Sequence, residues 1–335
     1  VPLDALPGLR AWLLRQQYRV VHPYTNAAPG GWAWTDLLGG VPDADDTPGA
    51  ILALTTLQSV SRPSGSGPDQ PAGPLPDGRG TEDTAARWMM NLQNRDGGIP
   101  TFCRGWGTLP FDRSSPDLTA HVIRALMRWL EPRYEIGYRE LIRSGRATIV
   151  DWKYGVGTKY QMLLHRGTTA VEKCLKFLRR TQRPDGSWLP LWFGNQHAPN
   201  DENPTYGTAK VLAAFQALGR MSDESAVRGV RWLVENQNPD GGWGAGSGTP
   251  SSVEETALAV EALLGQAPGS LAISRGLSWL IARVEDGRFR EPSPIGFYFA
   301  KLWYFEALYP LIFTVAALRK ADEVMRKISG REPTV

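Results

Sequence analysis

The chain has 335 residues, 42% hydrophobic and 21% charged, with a formal net charge of +3. That length suits one large or two ordinary domains, and the composition is that of a folded globular protein. Scattered basic residues give no nucleic-acid groove, Cys103 and Cys174 stand far apart without a CxxC pair, and neither a signal peptide nor an apolar run of about 18 residues is read.

In chain order, the first helical pattern ends at Trp12 to Gln17 and is followed by Gly30-Gly31-Trp32, a stretched copy of a repeat. The compact copies come later: Trp88 to Ile99, Phe177 to Trp188, and Trp232 to Trp243, with a worn copy at Trp279 to Phe289. Each reads as a helix end, a Gln, a Pro/Asp/Gly turn and then an aromatic or Ile. Gly stops the helix with positive φ, the Gln amide is expected to bond free helix-end groups, and the Trp to pack on it. These are structural staples.

Between the first and second copies lies Val41-Pro42-Asp43-Ala44-Asp45-Asp46-Thr47-Pro48, which runs straight into an apolar helix. Asp and Thr are good cap residues and Pro48 suits a first helical turn. The helix dipole lowers carboxylate pKa values there, whereas repulsion among three acids raises at least one. The spacing alone fits three readings: a solvated cap, an oxygen-ligand loop for a divalent cation, or a coupled acid cluster holding one proton for catalysis.

The turns are each followed by a second type of helix, starting at Thr47, at Pro116 to His121, at Tyr206 to Ala209 and at Glu254 to Ala257. These helices are apolar all round, whereas those before the turns, such as Val171 to Arg180, are amphipathic. The alternation predicts an inner and an outer ring of helices, an all-α, α/α-barrel fold of the (α/α)6 type. Inner-helix N-termini would gather Asp43, Asp45, Asp46, Asp117, His121, Tyr206 and Glu255 at one end.

Three stretches interrupt the pattern. Residues 59–83 are rich in Pro, Gly and Ser and read as a flexible insert. Residues 131–165 lengthen one gap and carry Tyr134, Tyr138, Trp152, Tyr154 and Tyr160, a candidate cover or contact for another domain. Residues 194–204 form a polar loop leading to Tyr206.

The Asp-Ala-Asp-Asp-Thr motif, the Gln…Gly-x-Trp repeats and Asp117-Leu118-Thr119-Ala120-His121 together resemble the squalene-hopene cyclase family of class II terpene cyclases. The likeness runs over nearly the whole chain and matches the C-terminal, acid-bearing α/α barrel. It implies one catalytic domain over 1–335, a fragment without the α/α barrel that precedes this point in the family. It further implies that Asp45 is the proton donor, that Asp43 and Asp46 tune it, and that His121, one turn from Asp117, bonds the acid.

The resemblance also implies an aromatic-lined cavity that shelters carbocations. Its candidate liners here are Trp34, Phe102, Trp192, Tyr206, Tyr298 and Phe305. The last two lie in a stretch matching the family's aromatic-rich terminal helix. Pro294 and Leu302 stand where the family has aromatics, which puts the product skeleton in doubt. Residues 101–106 resemble the family's substrate gate.

The expected substrate is a linear isoprenoid, squalene, cyclised to a polycyclic triterpene such as hopene without metal or organic cofactor. The expected setting is peripheral or monotopic, on the cytoplasmic side of a membrane, with a homodimer as one assembly the family allows. Three alternatives stay open at this point. They are a cyclase of a shorter or diphosphate-bearing isoprenoid with a Mg²⁺ requirement, a non-catalytic α/α-barrel scaffold, and, less well matched, a protein prenyltransferase β-subunit. The last needs Asp, Cys and His around zinc, and neither cysteine stands in such a context.

Overall fold

The computed structural model describes residues 6–60, 78–105, 107–131, 159–266, 269–297 and 301–330. Two compact units, Val1–Phe177 and Leu178–Val335, divide the chain. In the first, α1 is Leu6–Arg15, α2 Asp46–Val60, α3 Gly78–Leu92 and α4 Pro116–Leu130, and α5 begins at Lys159 and ends at Thr181. Helix α2 packs on α4, and α1 and α3 pack against α2. In the second, α6 is Pro204–Ala217, α7 Glu224–Glu235, α8 Val253–Leu264, α9 Leu271–Glu285 and α10 Tyr309–Ser329. Helices α6, α9 and α10 all pack on α8.

The two expected helix types are present. All of α8 is buried except Glu261, whereas α7 buries only Ala226, Gly229, Trp232 and Leu233, one stripe of an amphipathic helix. The staples work by a different division of labour from the expected one. Each Gln amide joins its own turn to a following outer helix. Gln17 Nε2 donates to Gly30 O and Thr81 O, Gln93 to Gly97 O and Ala170 O, Gln182 to Gly186 O and Ser225 O, and Gln237 to Gly241 O and Ala272 O, all at 2.8–3.0 Å. The helix-end carbonyls go to the indoles instead. Trp32 Nε1 donates to Leu13 O, Trp188 to Leu178 O and Trp243 to Leu233 O. An indole N–H is a rigid donor and reaches back to the orphan carbonyls of a helix end.

The insert expected over 59–83 is shorter than read: α2 continues to Val60 and α3 has begun by Gly78. Its remaining residues lie outside the described ones, as do Tyr134, Tyr138, Trp152 and Tyr154 and the gate residue Trp106. A further correction concerns the aromatic-rich stretch near the C-terminus. It is no helix but an antiparallel hairpin of β1, Pro294–Phe297, and β2, Leu302–Phe305, with Ile295 opposite Tyr304 and Gly296 opposite Trp303. Consecutive aromatic side chains suit a pleated ribbon, and Pro294 is tolerated as the first residue of a strand.

Candidate active site

One threonine on each inner helix sets the register of everything at its N-terminus. Thr47, Thr119, Thr208 and Thr256 each accept, through Oγ1, the backbone N–H of the residue closing a staple: Trp32, Ile99, Trp188 and Trp243 respectively. The residue four positions before the threonine repeats a second bond in three copies. Asp43 N donates to Trp32 O, Ser115 N to Ile99 O and Ser252 N to Trp243 O. By this register, Asp45, Asp117, Tyr206 and Glu254 are equivalent positions, and so are Gly49, His121 and Lys210.

Asp43 acts as the cap of α2. Its Oδ1 accepts the N–H groups of Asp45 and Asp46, both at 2.8 Å, while its Oδ2 is buried with no hydrogen-bond partner. Burial drives its carboxyl well above the usual range, and the neighbouring Asp46 charge adds to this, outweighing the bond from the Asp46 N–H. Burial raises Asp46 as well, while its interaction with Asp43 lowers it. Burial thus favours the protonated form in both, and the pair titrates as a unit. Asp45 is half-buried, its N–H on Asp43 and its carbonyl accepting from Gly49 N at 3.4 Å. Among the described residues, no three His, Cys, Asp or Glu side chains converge as a metal would require.

Helix α4 presents its residues to this turn. A Cβ at Gly49 would lie 3.8 Å from His121 Nε2, so the imidazole stands against the first turn of α2, one turn on from Asp45. Asp117, buried one turn before His121, accepts a short hydrogen bond from Ser115 Oγ. Ala44 N donates to Thr101 O, which ties the acid loop to the segment bearing Phe102, and Phe102 meets Trp34 edge-on at 5.9 Å. Acids, imidazole and two aromatics are thus brought into one unit.

The second unit holds the other candidates. Tyr206 is buried against Phe193, with centroids 5.0 Å apart, and Trp192 beside it is half-buried. Phe305 is 65% exposed at the end of β2, and Tyr298 lies outside the described residues. Phe193, the ring packed on Tyr206, was missed; its place directly after Trp192 was the available signal. Lys210 was missed too. Its Nζ sits 5.1 Å from the Tyr206 ring and 5.2 Å from that of Phe313.

Glu255 is buried at the start of α8, its Oε1 accepting from Asn195 Nδ2 at 3.1 Å and Asn203 Nδ2 at 2.9 Å. Asn203 in turn caps Tyr206 N. Burial above all, then the adjacent Glu254 charge, pushes Glu255 up to about 7. Relative to the usual 4.5, the folded state then holds the proton more tightly than the unfolded chain. That contribution is complete below about pH 4.5 and is lost as pH rises through about 7, a change of about 2–4 kcal/mol. Urea denaturation from pH 5 to 8 should show wild type losing stability relative to Glu255→Gln over that window; parallel pH curves would refute the assignment.

The comparisons with known proteins bear on this arrangement. Residues 159–323 match the model of the squalene-hopene cyclase C-terminal domain. Squalene–hopene cyclase of Alicyclobacillus acidocaldarius is 28% identical over 317 residues, covering 72% of this chain and 41% of that protein. The chain is thus similar, over residues 159–323, to the C-terminal domain of the squalene-hopene cyclase family. Its members are isomerase/cyclases. Enfumafungin synthase of Hormonema carpetanum is 29% identical over 325 residues, covering 87% of this chain and 21% of that protein. The chain thus spans less than half the length of these curated relatives. A type II terpene cyclase from Scytonema, solved in complex with geranylgeranyl dihydroxybenzoate, matches 96% of this chain and 82% of its own at 17% identity and a TM-score of 0.57. That likeness bears on fold alone, and the fold is the all-α, α/α-barrel class of class II terpene cyclases.

Proposed function

We propose that this chain is the acid-bearing barrel of a protonation-initiated terpene cyclase, in which Asp45 protonates a terminal alkene of a linear isoprenoid, squalene. The observation that carries this reading is the acid triplet at the N-terminus of α2, where buried Asp43 caps Asp45 and Asp46 through Oδ1 and the His121 imidazole stands against Gly49. An isolated alkene is a very weak base, so its acid must be strong, dry and precisely held. Asp43 fixes the loop through Oδ1, and His121, whose Nε2 stands against Gly49, takes the role of orienting Asp45 in this reading. The alkene π electrons take the proton, the resulting tertiary cation is attacked by the next alkene, and ring closure follows. The faces of Trp34 and Phe102, in the same unit as the acids, stabilise the travelling charge without trapping it. The last cation loses a proton to a base, or adds water and then releases one, and an equivalent proton from solvent, passed through the Asp43–Asp46 pair, restores Asp45.

Squalene dissolves in bilayers, so the working protein sits peripherally on the cytoplasmic side of a membrane, together with the preceding α/α barrel of its longer relatives. Val20, Val21, Leu37 and Leu38, all more than half exposed, support such a contact. Lys210 favours a second reading. A cation among aromatic rings disfavours a pure hydrocarbon cation beside it and suits a shorter isoprenoid with an anionic end, such as a diphosphate. The test is incubation with squalene and, separately, geranylgeranyl diphosphate with and without Mg²⁺, with products read by mass spectrometry. A polycyclic hydrocarbon from squalene without metal supports the first reading, and a cyclic diphosphate supports the second. Silence on both, also with the preceding barrel of a relative supplied, would leave a scaffold domain.

A further inference from the structure

The repeat directly ahead of the acids is built differently from the other three. From the staple Gln to its turn glycine the chain takes four residues at Gln93, Gln182 and Gln237, but thirteen at Gln17. Gln17 nevertheless makes the same two bonds as its counterparts. The added residues are therefore not needed for stapling.

What they reach is Gly40, three residues before Asp43. Tyr18 Oη donates to Gly40 O at 2.6 Å, and His22 Nε2 lies 2.9 Å from the same oxygen. The tautomer follows from the other ring nitrogen. Thr25 N donates to His22 Nδ1 at 3.2 Å, so Nδ1 is the acceptor and Nε2 carries the proton that goes to Gly40. His22 is only 3% exposed, and the turn holding it is closed by bonds from His22 N to Ala27 O and from Asn26 N to His22 O. Gly40 is itself buried, and a Cβ there would come 2.7 Å from Thr35 O. From Gly40 to Asp43 the chain passes through Pro42, whose fixed φ stiffens the link. Beyond it the acid loop is held by backbone bonds from Asp43 N to Trp32 O, Ala44 N to Thr101 O and Thr47 N to Asp43 O, with Asp43 Oδ1 capping Asp45 and Asp46 and Thr47 Oγ1 accepting Trp32 N.

We propose that Tyr18 and His22 are positioning residues for the acid triplet, their two donors converging on the Gly40 carbonyl to hold Asp43 in register with α2. The proposal rests on the cyclase reading above. A proton donor misplaced by about 1 Å loses much of its rate. Among the described residues the clamp accompanies the acid-bearing repeat alone; where the equivalent of Asp43 is Ser115 or Ser252, the step from staple Gln to turn glycine stays at four residues.

The experiment uses the full chain as wild type, Tyr18→Phe, His22→Leu, His22→Gln and the Tyr18→Phe/His22→Leu double variant. Each single loss should lower kcat for cyclisation about five- to tenfold, and the double about fiftyfold, with KM changed less than twofold. Hydrogen exchange at amides 43–47 should accelerate by a similar factor while amides of α8 and the melting temperature hold. Gln places an N–H near the site of Nε2, so His22→Gln should recover most of what His22→Leu loses. The proposal is overturned if exchange at 43–47 does not move, if kcat holds, if His22→Gln is as poor as His22→Leu, or if protection falls throughout the chain. A wild type silent on every isoprenoid probe would remove the cyclase reading, while exchange at 43–47 would still report separately whether the clamp sets the loop.

Discussion

Asp45→Asn is expected to lower cyclisation by at least about a thousandfold, since it removes the proton donor of the proposed mechanism. The substitution is nearly isosteric and leaves the backbone roles of the residue intact, its N–H on Asp43 and its carbonyl on Gly49. The melting temperature should therefore stay within a few degrees of wild type. Asp43→Asn is the control that gives the result meaning. Burial and then the Asp46 charge raise Asp43, and burial raises Asp46 as well. If Asp43 were the donor, its variant would be the dead one and Asp45→Asn would keep partial activity. On the reading argued above, Asp43→Asn loses the pair's proton but keeps an oxygen for the Asp45 and Asp46 amides, and retains a slow residual rate. The sign of the pH dependence follows. A carboxyl raised by burial keeps its proton above the ordinary aspartate range, so turnover is full at acid pH and falls as pH rises through the folded-state value. Asp43→Asn should remove that alkaline limb. Product yield by mass spectrometry across pH for the three proteins decides between the assignments.

Much of this was legible in the sequence because it is local or periodic. The staples are spaced by helix ends and turns, so Gln93, Gln182 and Gln237 announce themselves. The acid triplet and the Asp117/His121 pair need only a helix and its first turn to be placed. Roles set by tertiary contact were harder to read. That Asp43, rather than its neighbours, is the most buried acid depends on Trp32 and Thr101, far along the chain. The register threonines were visible as Thr-Pro or Thr-Ala at every inner-helix start, yet their function needs the partner N–H from the preceding staple. The Tyr18/His22 contacts to Gly40 span 22 and 18 residues of irregular chain with no period to betray them. The terminal aromatic stretch was misread as helix because family analogy was allowed to outweigh the β propensity of Leu302 to Phe305.

The largest stability effect should come from a staple indole. Trp243 is fully buried, its Nε1 on Leu233 O and its own N–H on Thr256 Oγ1. Trp243→Ala removes one of the largest buried side chains, opens a cavity and leaves the Leu233 carbonyl without its donor. The expected cost is about 3–5 kcal/mol. Its partner is Gly276 on α9, where a Cβ would meet Trp243 Cζ3 at 2.6 Å and Val260 Cγ2 at 2.7 Å. Gly276→Ala alone should therefore cost about 1–3 kcal/mol by overpacking, despite the better helix propensity of Ala. With the indole gone, that methyl loses its clash with Trp243, keeps only the one with Val260 Cγ2, which can move into the vacated space, and the propensity gain remains. The two changes made together should then cost less than their sum by at least about 1 kcal/mol. Urea denaturation of the four proteins measures the cycle. Additive costs would mean that α9 does not close on Trp243, and that the indole stabilises the staple through its hydrogen bond alone.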